Sequence, residues 1–133
     1  MQNGPVPTTL TLLAELPNFP PGSKVRFMGC VTNYSTKTAI LTLQHSHPSA
    51  SSATALVDVN LLLRTLKSDE TQVGAWVNVL GYVERKRQTT SSNEEAAVQI
   101  QALLLWSSGP FDLEGYERSV DRRIAEEAPG PDG

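Results

Sequence analysis

Three clusters in this 133-residue chain carry side chains suited to chemistry. Arg85-Lys86-Arg87 places three cations in a row shortly after Tyr82. Cationic groups neutralise phosphates while an aromatic face stacks a base, a contact worth about 1–3 kcal/mol per base. The same triplet also reads as a solvated hairpin tip. Tyr34 and Lys37 repeat the pairing on a smaller scale. His45-Ser46-His47 has the spacing with which an extended segment presents two imidazoles to a metal. A structural zinc site takes four protein ligands. The chain has no third histidine, and its single cysteine, Cys30, lies in an earlier segment. The expectation is therefore no metal and no other cofactor. Nor is there a Gly-x-Ser-x-Gly elbow, a phosphate-cradling glycine loop or a recognisable pair of catalytic carboxylates. The chain does not read as an enzyme.

The elements that must hold these residues are strands. In residues 72–84, Val77, Val79 and Val83 alternate with Trp76, Asn78, Leu80 and Tyr82, and Gly81 interrupts the inward row. Residues 24–34 have the same form, with Val25, Phe27 and Val31 on one face and Gly29 breaking the row. Period-two patterning of β-branched and aromatic residues predicts strands. A glycine on the inward row predicts tight coiling, because the missing Cβ lets backbones approach.

Further strands are expected at 38–44, 55–59 and 97–106, with the 24–34 strand first and 76–85 fourth. A short leucine-rich helix at 60–67, capped by Asp58 or Asn60, separates the third from the fourth. Leu113, Tyr116, Val120 and Ile124 recur at spacings of three and four, which predicts an amphipathic helix over about 112–127. Three strands, a short helix and two strands predict an all-β protein, a five-stranded OB-fold Greek-key barrel followed by a C-terminal amphipathic helix. The loop carrying Arg85–Arg87 and the one after Tyr34 would flank such a barrel's ligand face.

Length bounds the chain to one domain: a loose segment at 1–9, the barrel at 10–110, the helix at 111–127 and a disordered tail at 128–133. The N-terminus has no basic region and only a short apolar run, which predicts neither signal peptide nor membrane span. One cysteine supports no internal disulfide, so an intracellular protein is expected. Net charge is −3, with eight Lys/Arg against seven Asp/Glu in residues 1–110 and three against seven in 111–133. An autonomous nucleic-acid binder is usually basic. Any DNA contact here is therefore expected to be auxiliary to partners in an assembly.

The succession PGSKVRFMGCVTNY, ALVDVNLLL, QVGAWVNVLGYVE and a terminal amphipathic helix resembles the smallest, Ten-type OB-fold subunit of the CST telomere-capping complex. That family is similar in layout to the smallest subunit of replication protein A. The resemblance spans about residues 16–127. It implies a non-catalytic nuclear protein at chromosome telomeres, paired with the Stn-type OB-fold subunit. Through that complex it would support binding of single-stranded telomeric DNA, end protection and telomere replication. It also implies that Leu113, Tyr116, Val120 and Ile124 contribute to the partner contact, and that Arg26 matches a basic position of the family. The residues alone leave three alternatives open: a replication protein A-like small subunit, an autonomous OB-fold nucleic-acid binder, and an OB domain that binds only protein.

Overall fold

The computed structural model describes residues 7–47, 53–87, 97–110 and 112–127. The chain runs through β1 (Thr8–Leu10), a 3-10 turn (Leu13–Asn18), β2 (Lys24–Ser35), β3 (Ile40–Gln44) and β4 (Thr54–Asp58). Two more 3-10 turns follow (Asn60–Leu62 and Ser68–Glu70), then β5 (Trp76–Arg87), β6 (Ala97–Ser107) and α1 (Leu113–Glu127). Residues 24–30 of β2 pair with β5 and residues 30–35 with β3, so this one strand joins two sheet halves. Antiparallel β3–β4, parallel β4–β6 and antiparallel β5–β6 pairs complete a closed five-stranded barrel. This is the OB-fold expected from the element order. β1 adds a short parallel strand beside β2, and two of its residues fall in the stretch expected to be loose.

The inward rows are those of the alternation. Val25, Phe27, Val31, Val77, Val79 and Val83 are fully or almost fully buried. Burying each such side chain stabilises the fold by about 1.5–3 kcal/mol. The two glycines sit where backbones crowd. A Cβ at Gly29 would lie 2.9 Å from both Leu13 Cδ1 and Leu43 Cβ. At Gly81 it would collide with the Gln101 carbonyl of the neighbouring strand, next to a register shift between Leu80 and Gly81. Leu13 and Leu16 of the first 3-10 turn have no exposed surface and join the barrel's core.

Two details differ from the sequence expectation. The segment at 60–67 is not an α-helix but opens as a 3-10 turn, with Leu62 and Thr65 amides bonded three residues back. Only Leu62 and Leu66 pack against the core, while Leu61 and Leu63 are exposed, so one apolar contact per turn is available to hold a longer helix. Neither Asp58 nor Asn60 is its N-cap: Val59 holds that position with no side-chain bond, and Asp58 Oδ1 accepts the Asn60 amide at 2.8 Å in a local Asx turn. The second barrel strand begins at Ile40, not at 38, because Ala39 turns the chain with φ 57° and accepts the Val59 amide.

Candidate partner and nucleic-acid interfaces

Outward residues of β1, β2, β5 and β6 form rows across the barrel wall. Leu10, Arg26, Leu80 and Leu104 are consecutive partners in one row. Met28, Asn78 and Trp106 make the next, and Cys30 with Trp76 the one after. α1 lies over this wall. Its start, Leu113 with Glu117, shares a cavity of about 340 Å³ with Cys30, Gln44, His45 and Trp76. Tyr116 and Gly115 border a larger one, about 510 Å³, with Met28, Asn78 and Trp106. Ser119, Arg122 and Arg123 line a further cavity with Leu10 of β1. The apolar stripe is thus seated on its own barrel. Val120 is fully buried, and Leu113, Tyr116 and Ile124 are half-buried.

Tyr116 carries the strongest perturbation of this wall. Burial pushes its phenol up to about 12, against smaller opposing effects of the Met28 backbone and the Arg26 charge. Its Oη is buried and makes no hydrogen bond of ordinary geometry. Burial likewise raises the Cys30 thiol, which keeps it protonated and unreactive at neutral pH.

A second contact holds α1, and the sequence did not announce it. His45 is buried, and its Nε2 lies 2.7 Å from Glu117 Oε2. His47 lies between two carboxylates, with Nδ1 3.4 Å from Glu117 Oε1 and Nε2 2.9 Å from Asp121 Oδ2. The Trp76 ring meets His45 edge-on at 5.3 Å. The histidine spacing was visible, and so were Glu117 and Asp121 four apart on a helix. Their meeting, across more than seventy residues, was not. Among the described residues no group of three or more His, Cys, Asp or Glu is placed to share a metal ion.

The residues suggested for nucleic acid are dispersed. Tyr34 packs against the core, and Lys37 is exposed in the turn after β2. Tyr82 stands between Lys24 and Gln101 on the outer wall. Arg26 holds its guanidinium 5.4 Å from the centroid of the Trp106 ring, on the wall that α1 overlies. The backbone of Lys86 and Arg87 pairs with Val98 and Ala97, but the side chains of Arg85, Lys86 and Arg87 lie outside the described residues. Between the turn at 36–39 and the start of β6 runs a neutral groove of about 270 Å³, with Ile40 and Leu56 among its lining and Asn33, Thr42 and Gln99 beside them. Among the described residues its lining has no cation and no aromatic ring.

Residues 1–121 match the family model for Ten1, telomere capping, CST complex subunit. The chain belongs to the Ten1 family. Among solved structures it is similar to a chain of the S. pombe Stn1–Ten1 complex, with 26% identity and a TM-score of 0.68, over 92% of this chain and 96% of that one. It is also similar to telomere capping protein Ten1 from Saccharomyces pombe, with 27% identity and a TM-score of 0.64, over 90% and 99%. Asparaginyl-tRNA synthetase of Entamoeba histolytica shares the fold alone, at 13% identity and a TM-score of 0.53, over 91% of this chain and 30% of that one. No curated protein matches significantly. No helix among the described residues of this Ten1-family chain is long and apolar enough to cross a membrane.

Proposed function

We propose that this chain is the non-catalytic small subunit of a CST telomere-capping complex. It pairs with the Stn-type OB-fold subunit, as Ten1 does in the S. pombe complex. Through that partner it supports single-stranded telomeric DNA binding, end protection and telomere replication in the nucleus. The observation that carries the partner surface is the row Leu10–Arg26–Leu80–Leu104, which lies on the wall that α1 overlies and ends in a leucine 54% exposed. Leucines at three of the row's four positions make an apolar strip rather than one scattered side chain, the kind of surface a permanent partner covers. Leu113, Tyr116 and Ile124 supply the helix side of that contact, and Val120 seats the helix from beneath. Arg85, Lys86 and Arg87, with Tyr82, Tyr34, Lys37 and Arg26, are auxiliary DNA contacts whose affinity depends on the assembly.

The test is co-purification with the Stn-type subunit of the same organism. Wild-type chain is expected to form a one-to-one complex, and Leu104→Asp to lose it while keeping its thermal unfolding midpoint. A Leu104→Asp chain that still co-purifies would remove this wall from the interface. A wild-type chain that stays solitary and binds single-stranded DNA unaided would favour the autonomous alternative.

A further inference from the structure

The two histidines do something other than bind metal. We infer that His45 and His47 form a proton-responsive clasp on Glu117 and Asp121 that fixes the seat of α1 on the barrel and, through α1, the affinity for the partner subunit.

The two rings differ in what they can donate. His45 reaches one carboxylate, through Nε2, while its Nδ1 is buried without a partner. A neutral ring with its hydrogen on Nε2 serves that geometry, donating to Glu117 and leaving only a bare lone pair unmet. A second N–H at Nδ1 would be a buried donor with nothing to receive it. His47 is the opposite case. Both of its nitrogens face carboxylate oxygens, Glu117 on one side and Asp121 on the other. Only the imidazolium carries a hydrogen on each nitrogen and a positive charge, so only the protonated ring donates to Asp121 and also forms a charge pair with Glu117 at 3.4 Å. One histidine is a fixed pin, and its neighbour is a latch that gains an ion pair when protonated.

Among the described residues, the surroundings contain few competing charges. From α1, Glu117 and Asp121 face the rings, and the Tyr116 ring lies 6.2 Å from His45. From β2, the Cys30 thiol shares the cavity with His45, and from β5 the Trp76 ring packs against it. His47 stacks on His45 at 5.9 Å. The latch is partly open to solvent, with the His47 side chain 28% and that of Asp121 51% exposed, so protons reach it without unfolding. Imidazole changes charge between pH 5 and 8. An ion pair present only in the protonated form strengthens the seat as pH falls and is lost as pH rises.

The step from clasp to partner rests on the proposed heterodimer, and the experiment separates the two. Hydrogen-exchange protection factors of α1 amides would be measured in the free chain at pH 6 and pH 8, beside dissociation constants for the Stn-type subunit. In wild type, protection and affinity are both expected to rise at pH 6, by about two- to fivefold, the range of a partly exposed ion pair. His47→Gln and Asp121→Asn should each flatten that ratio, while His45→Ala should lower protection at both pH values. If His47→Gln keeps the wild-type ratio of α1 protection, the clasp is wrong whatever the partner. If protection follows the clasp while heterodimer affinity ignores it, the coupling is wrong and the heterodimer stands. If no heterodimer forms at either pH, the proposed function fails instead.

Discussion

At the scale of single residues, two positions make opposite predictions. Gly81 has no room for a side chain, because the obstacle is the backbone carbonyl of Gln101 and not a movable side chain. Gly81→Ala is therefore expected to destabilise the barrel by about 1–3 kcal/mol, the cost of overpacking a tight site, as read from urea unfolding. Tyr116 has an atom too many. Its hydroxyl is buried beside the Met28 backbone without a hydrogen bond of ordinary geometry, so Tyr116→Phe is expected to leave stability at pH 7 unchanged or raise it by up to about 1 kcal/mol. The alkaline limb fixes the sign. The folded phenol ionises only near pH 12, the unfolded one near pH 10, so wild type loses stability between those values as the unfolded chain sheds its proton first. Melting curves from pH 9 to 11.5 should fall less steeply for Tyr116→Phe than for wild type.

At the scale of elements, α1 is held by one buried valine, three half-buried residues and the two-histidine clasp. A lone helix of fifteen residues is marginal in water, so its order depends on that seat. Val120→Ala removes two methyls beneath it and is expected to lower α1 protection and global stability by about 2 kcal/mol, transfer and cavity costs together. Thermal unfolding and hydrogen exchange check both. What was legible here follows from range. The α1 stripe and the inward rows of β2 and β5 are local periodicities, and both glycine kinks fell on those rows where crowding demanded them. The segment at 60–67 was misjudged because four leucines within six residues carry helix propensity, whereas only two of them find the core. The clasp was illegible for a different reason. It joins side chains just beyond β3 to side chains of α1, and no spacing along the chain encodes where the helix comes to lie.

At the scale of the whole molecule, charge decides how DNA is held. The chain is acidic overall, with its excess of carboxylates concentrated beyond residue 110, and the described lining of the groove between the turn at 36–39 and β6 contains no cation. Phosphate neutralisation is the main sequence-independent source of nucleic-acid affinity, so the free chain is expected to bind single strands weakly. Within the assembly, Arg85, Lys86 and Arg87 add at most three phosphate contacts. Each such contact contributes about 0.7 to the slope of log affinity against log salt for a single strand. Replacing all three by alanine should therefore reduce the slope of the whole complex by up to about 2, measured by anisotropy between 50 and 300 mM salt. The contact with the Stn-type subunit, which we propose rests on Leu80, Leu104 and α1, should change little over the same range, because burial of apolar surface is not screened. An unchanged DNA slope in the triple variant would take residues 85–87 out of the DNA path and leave a subunit that acts on DNA only by holding its partner.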